Sequence, residues 1–326
     1  MTPFQPTASW NSLRRRAELL KAIRAFFDQR GFLEVETPLL SRDVVVDEHI
    51  DPIPVALPTE VDEHGVSRPT RWWLQTSPEA AMKRLMACGG QAIYQITRSF
   101  RRGEQGRLHN PEFTIVEWYH RDDDRTRAVD RLDALMQTVL QTSPAVRLEY
   151  RQAFRQHLDI DPWHDDDKLL REAAERRGLH IDDDSQTTRD ELLDFLLAEG
   201  VIPQFDGERP TVLWGYPATQ AALARVDEAE PRRAERFELF YRGLELANGY
   251  VELTDAAEWE RRAAAANGRR RAAGREPLPV AGGMLDAMRA GLPPCAGVAL
   301  GFDRLVMADL ATNDIARVIA FPWDRA

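Results

Sequence analysis

The chain has 326 residues, 43% hydrophobic and 29% charged, which is the make-up of an ordinary folded protein rather than a disordered or fibrous one. Its 43 Lys and Arg stand against 53 Asp and Glu, and the resulting net charge of −10 disfavours polyanion binding except where cations cluster. No apolar run approaches the ~18 residues of a membrane span, the first twenty residues lack a signal-peptide core, and no HExxH or paired-cysteine spacing supports a metal knuckle.

A cytoplasmic protein is therefore expected, with its two cysteines, Cys88 and Cys295, reduced and buried. Residues 12–29 place Leu13, Ala17, Leu20, Ile23 and Phe27 at helical spacing, and Gly31 ends the run. FLEVETPLLS then alternates like a strand up to Pro38, which suits an edge or a terminus. Residues 42–71 read as loops and short strands. At Ser77-Pro78-Glu79 a hydroxyl N-cap, a proline at the first helical position and an acid in the first turn predict a helix start.

QAIYQITRSF and EFTIVEWYH are two strands joined by an Arg/Gly-rich loop. A helix follows at about 125–142. The segment 151–205, with Asp165–Asp167 and Asp182–Asp184 between helical patterns and a T-x-x-E box at Thr188–Glu191, reads as an inserted helical lobe. Strands return at about 211–216 and 235–252, then a helix from 255 to 272, and CAGVALGFDRLVMADL closes the chain as strand, glycine bend and helix. Antiparallel neighbours dominate, so the predicted class is α+β, an antiparallel sheet flanked by helices. Two arginine clusters, Arg14–Arg16 and Arg261 to Arg275, are either solvated helix faces or a docking surface for an acidic partner.

Three constellations bear on chemistry. In PEFTIVEWY the alternation of side chains puts Phe113, Ile115, Glu117 and Tyr119 on one face, and at ~3.3 Å per residue Phe113 and Glu117 lie ~13 Å apart. That is the reach of a nucleotide joined to a small amino acid, with the preceding arginines for phosphates and the acid for an ammonium; the alternative is a half-buried strand with a solvated glutamate. RFELFYRGLELANGYVELTD reads as a hairpin. A turn centred on Tyr241–Arg242 sets Glu238 directly opposite Glu245, a like-charge conflict that Mg²⁺ would relieve, whereas a shift of one residue separates the pair. In GVALGFDR, Gly297 and Gly301 allow close approach to a ligand, and Arg304 sits in the first turn of a helix against the preference of the helix dipole, which points to a ligand anion unless the glycines are simply packing devices.

Together these segments resemble the motifs of the class II aminoacyl-tRNA synthetases, most closely the lysyl branch. GFLEVETP with Pro38 is similar to motif 1, SFRRGEQGRLHNPEFTIVEWY to motif 2 and GVALGFDR with Arg304 to motif 3, and TSPE and GLELANGYVELTD match in order. The resemblance implies a class II synthetase catalytic core over residues 1–326, enclosing the 151–205 lobe, and a homodimer through motif 1. The first catalytic helix begins within about a dozen residues of Met1, so no anticodon-binding OB domain is expected and tRNA is not the expected acceptor. The chain then resembles freestanding lysyl-synthetase-like ligases that use ATP to attach (R)-β-lysine to a lysine side chain of elongation factor P. Ala299, where the synthetases usually carry glycine, points the same way. A truncated lysyl-tRNA synthetase-like enzyme charging tRNA or another acceptor is the alternative.

Carried over by position, the resemblance implies ATP binding by Arg101, Arg102, Gly103, Asn110, Phe113, Glu245, Leu246, Gly301 and Arg304. Arg101 at the α-phosphate and Arg304 at the adenine face and γ-phosphate would be the catalytic pair, with Phe113 stacked on adenine. Glu238 and Glu245 become Mg²⁺ ligands. Ser77 and Glu79 would contact the amino end of (R)-β-lysine or lysine, while Glu117, Tyr119 and Glu252 read its ammonium groups. The family's motif 2 usually has Arg-Asn-Glu where this chain has Arg101-Arg102-Gly103, so adenine is met either by Glu104 swinging in or by main chain.

Overall fold

The computed structural model describes residues 4–56, 60–61, 67–68, 71–180 and 187–326, so Asp182–Asp184 lie outside the described residues. The chain divides into two compact units, Met1–Asp123 with Thr254–Ala326, and Asp124–Leu253.

The first unit opens with α1 (Trp10–Asp28), whose Leu19, Ile23, Phe26 and Phe27 are buried and whose N-cap Ser9 accepts from the Ser12 amide at 3.1 Å. Phe27 stacks on Tyr94 at 4.5 Å between centroids and meets Trp118 at 5.3 Å, which seats the helix on the sheet. Arg15 and Arg16 do not form a solvated face. Arg15 pairs with Asp309 at 2.7 Å and Arg16 with Asp303 at 2.5 Å, because both carboxylates lie on the element packed beneath.

The predicted strand before Pro38 shortens to β1 (Leu33–Glu34), followed by β2 (Leu40–Ser41), β3 (Ile53–Ala56), β4 (Glu60–Val61), β5 (Ser67–Arg68) and β6 (Arg71–Leu74). β6 pairs with β2 and β3, and β4 with β5. α2 (Glu79–Ala87) begins one residue later than the cap signals predict, with Pro78 as N-cap and Ser77 Oγ 3.4 Å from the Glu79 amide. Its C-cap, Cys88, is exposed rather than buried, since the helix ends facing solvent; Cys295 is buried, and both thiols are free. β7 (Ala92–Phe100) and β8 (Glu112–Arg121) form a long antiparallel ladder.

The second unit contains α3 (Arg125–Leu140), β9 (Val146–Glu149), α4 (Tyr150–Leu158), α5 (Asp167–Glu175), α6 (Arg189–Leu196), β10 (Thr211–Trp214), β11 (Arg236–Tyr241) and β12 (Leu244–Val251). Its strands run in the order β12-β11-β10-β9, antiparallel except for β9 with β10. The capping box predicted at Thr188–Glu191 is formed in both directions. The helices of the 151–205 stretch do not pack only on one another: Phe154, Leu170, Leu192 and Leu196 share an apolar cluster with Leu213 of β10 and Phe240 of β11.

The chain returns to the first unit through α7 (Ala256–Ala272), α8 (Gly282–Gly291), β13 (Cys295–Gly301) and α9 (Phe302–Asp309). There the strand order is β1-β7-β8-β13, parallel only between β1 and β7. The second arginine cluster is divided by this packing. Arg261 and Arg262 pair with Glu258 at 2.7 Å, but Arg270 is only 2% exposed and donates to Asp51 at 2.6 Å, so no single docking face includes it. Helices and mostly antiparallel strands place the fold in the predicted α+β class. Among the described residues no helix is long and apolar enough to cross a membrane.

Candidate active site

The floor of the site in the first unit is one face of three strands. Phe113, Ile115, Glu117 and Tyr119 of β8 are flanked in register by Ser99, Thr97, Gln95 and Ile93 of β7, and on the other side Ile115, Glu117 and Tyr119 oppose Gly301, Ala299 and Gly297 of β13. The predicted alternation therefore holds, and the β13 residues opposite it are small. Glu117 is 2% exposed and Tyr119 Oη donates to its Oε1 at 2.7 Å, so the phenol orients the acid within a buried pocket. The Ala299 methyl lies on the rung of Glu117, where a glycine would leave more room.

At the other end of β8 the Arg101 guanidinium lies 4.9 Å from the Phe113 ring centre and 3.4 Å from Glu104 Oε1. Gly103 has φ +82°, a left-handed conformation that a glutamate would adopt only with strain, which accounts for glycine at this position. Glu104 is turned toward the Arg101 guanidinium.

Arg304 donates to His109 Nε2 at 2.5 Å, and a guanidinium has no acceptor, so that ring nitrogen carries no proton. Burial, followed by the positive charge of Arg304, lowers the His109 pKa; Glu104 opposes the shift and Arg101 adds to it. His109 does not stand out in the sequence, because only folding of the loop brings it between two arginines. Asn110 is 7% exposed, and its amide donates to the Glu112 carbonyl at 2.7 Å while its Oδ1 accepts from the Trp323 amide at 2.9 Å. The Asn110 side chain thus ties the loop to the C-terminal segment.

Glu79, predicted to meet substrate, accepts from Lys83 Nζ at 2.6 Å, and Lys83 is 1% exposed. Sequence reasoning misses Lys83 since an (i, i+4) Glu–Lys pair on a helix usually signals a solvated face.

In the second unit Glu238 is 6% exposed and accepts from Tyr216 Oη at 2.6 Å and from Arg236. Burial, followed by the charge of Glu238, raises the Tyr216 pKa well above its ordinary value. The hairpin turn is centred on Arg242 and Gly243, both at positive φ, one residue later than the placement that sets the two glutamates face to face. Phe240 pairs with Glu245, a bulge follows, Leu239 pairs with Ala247, and Glu238 opposes Asn248. The direct Glu238–Glu245 opposition is therefore absent; the two carboxylates share a sheet face, two residues apart along β11. Leu246 is the extra residue of the bulge, so it has no partner residue on β11. Glu252, 2% exposed, forms an isolated bridge with Ala224.

Among the described residues no three His, Cys, Asp or Glu side chains converge as a metal cage. Of the two same-face carboxylates, Glu238 has its oxygens engaged by Tyr216 and Arg236, while Glu245 lies opposite Phe240. Sequence reasoning also passes over Tyr216, which lies outside the quoted segments, and Arg236, which heads RFELFYRGLELANGYVELTD but is given no role there.

The comparisons with known proteins agree with this arrangement. The family model for class II tRNA synthetases (D, K and N) matches residues 5–325. Proteins of Salmonella dublin, Salmonella heidelberg and Salmonella agona, each named elongation factor P–(R)-β-lysine ligase, are 47% identical over 323 residues, covering 99% of this chain and 98% of theirs. With the motif 2 and motif 3 strands paired in one floor and a match from end to end, the chain belongs to the class II tRNA synthetase family (D, K and N).

Proposed function

We propose that this chain is an ATP-dependent ligase that activates (R)-β-lysine, or lysine, as an aminoacyl-adenylate and transfers it to a lysine side chain of elongation factor P. The observation that carries this reading is the β8 floor, which sets the arginine–aromatic pair Arg101 and Phe113 at one end and the buried acid Glu117, oriented by Tyr119, at the other. The name of the relatives supplies the acceptor and the β-isomer.

In the first step a carboxylate oxygen of the amino acid attacks the α-phosphorus of ATP in line, the bond to the bridging oxygen breaks, and pyrophosphate leaves. Charge builds on the α-phosphate, and Arg101, already in place beside Phe113, would stabilise it without reorganisation. Arg102, the turn at Gly103, Asn110, Leu246, Gly301 and Arg304 complete the nucleotide contacts in this reading, with adenine on Phe113. Mg²⁺, which Glu238 and Glu245 would hold, supplies further neutralisation of the triphosphate. In the second step the neutral ε-amine of the acceptor lysine attacks the adenylate carbonyl, AMP leaves, and the proton lost from nitrogen passes to solvent. No enzyme nucleophile is required; well-oriented reactants reach effective molarities of ~10⁵ M or more.

Choosing a diamino acid means burying cations, which is costly unless acids and hydrogen bonds receive them. Glu117, Tyr119 and Glu252 have that role, with Ser77 and Glu79 at the amino end. We read residues 1–326 as one catalytic domain that includes the 151–205 helices, acting in the cytoplasm as a homodimer. Leu33 of motif 1, 64% exposed, is an apolar side chain that such a dimer would cover.

The test is to incubate the protein with ATP, either lysine isomer and elongation factor P. The factor should gain one β-lysyl group by intact mass as AMP forms; labelled lysine on tRNA instead of the factor would overturn the reading.

A further inference from the structure

We propose that Arg16 and Asp303 are positioning residues for the nucleotide half of the site, an inference that rests on the ATP role given above to Phe113 and Arg304. Neither residue belongs to the set expected to touch ATP.

The geometry is a closed ring of charge-assisted hydrogen bonds among three elements. Arg16 of α1 donates from Nη1 to Asp303 Oδ1 at 2.5 Å and from Nη2 to Thr114 Oγ1 at 2.7 Å. The second oxygen of Asp303 accepts from the Thr114 main-chain amide at 2.7 Å. Arg98 of β7 adds a donor to the same Thr114 hydroxyl at 3.0 Å, and the Arg16 guanidinium lies 4.7 Å from the centre of the Phe302 ring. Asp303 is 3% exposed and the Arg16 side chain 13%.

The two anchoring points are chain neighbours of the two residues that would enclose adenine. Thr114 follows Phe113, and strand alternation sends its side chain to the opposite face, so the ring grips the floor from behind. Asp303 precedes Arg304 in the first turn of α9. The last β8–β13 pair is Ile115 with Gly301, and the Asp303 carboxylate takes up the Thr114 amide one residue further on. Sheet pairing thus hands over to a side chain at the point where the phenylalanine and the arginine must be held in register.

A buried ion pair is a weak source of stability compared with apolar packing of the same volume, so stability alone does not account for one here. Its distinctive property is direction. A guanidinium presents a planar fork that reaches a carboxylate and a hydroxyl at once, whereas an ammonium is a point donor. Arg16 therefore acts on ATP binding through Phe113 and Arg304 while leaving the amino acid floor around Glu117 alone.

The test uses the full chain and four variants, with ATP and (R)-β-lysine dissociation constants measured separately by calorimetry. Arg16→Lys keeps the charge and removes the fork; Thr114→Val removes the hydroxyl at constant volume; Thr114→Ser restores it; Phe113→Ala removes the platform. Arg16→Lys and Thr114→Val are expected to raise the ATP constant about tenfold with the β-lysine constant unchanged, and Thr114→Ser to bind like the parent. In the Phe113→Ala background the Arg16→Lys effect should shrink to the part carried by Arg304, since residues of one network couple and remote ones add; a full tenfold effect there would overturn the role through Phe113. If Phe113→Ala weakens ATP while folded Thr114→Val and Arg16→Lys bind it normally, or if both nucleotide and amino acid constants rise together, the positioning role is wrong. If Phe113→Ala itself leaves ATP binding unchanged, it is the assigned nucleotide site that fails.

Discussion

Arg304 and His109, 195 positions apart in the chain, are joined by a 2.5 Å hydrogen bond in which the imidazole is the acceptor. The bond requires a neutral ring. Burial and the adjacent guanidinium depress its pKa below the ordinary 6.5, so stability from the neutral ring is present above that value and lost as pH falls through the lowered folded value. An NMR titration of the ligand-free protein should give His109 a midpoint under 6.5, with the hydrogen bond from Arg304 broken on protonation; a midpoint at or above 6.5 would exclude this geometry.

The Tyr119 phenol supports the Glu117 carboxylate at 2.7 Å inside the floor. Tyr119→Phe is expected to raise KM for the amino acid about tenfold in pyrophosphate exchange, the scale of one hydrogen bond to a charged group, with KM for ATP unchanged. Glu117→Gln should cost about a hundredfold or more, since it also removes the charge that meets the substrate ammonium.

Glu252 in the proposed role reads an ammonium, not the nucleotide. Glu252→Gln should abolish amino acid activation while ATP still binds in calorimetry. Normal pyrophosphate exchange in that variant would remove Glu252 from the amino acid site.

On α2 the buried Lys83 pairs with the partly exposed Glu79. Lys83→Met leaves the Glu79 carboxylate without that cation, and breaking a buried pair from one side costs about 3 kcal/mol, readable as a lower urea midpoint with an unchanged slope. A loss under about 0.5 kcal/mol would show that the pair behaves like a solvated surface bridge.

Much of the fold was legible because its signals are local. The helix α1, the period-2 face of β8 and the capping box at Thr188–Glu191 each depend on residues within a few positions of one another, and all three are present, although α1 buries Leu19, Ile23, Phe26 and Phe27 while Ala17 of the expected stripe is exposed. The motif residues were legible for a related reason: Phe113, Glu117 and Tyr119 lie on one strand, where alternation alone assigns their common face.

Partner choice across long separations was not encoded in that way. The hairpin turned one residue later than a face-to-face pair of glutamates needs, because Gly243 tolerates positive φ and a bulge absorbs Leu246. Arginines at 15, 16 and 270 read as surface charge, yet they turn inward to Asp309, Asp303 and Asp51. Sequence by itself determined the elements, their class and the row of reactive side chains; tertiary packing decided which charges are buried and what holds them. Periodicity reports which way a side chain points along its own element, whereas a hydrogen bond such as Arg16 to Asp303 exists only once two distant elements have been brought together.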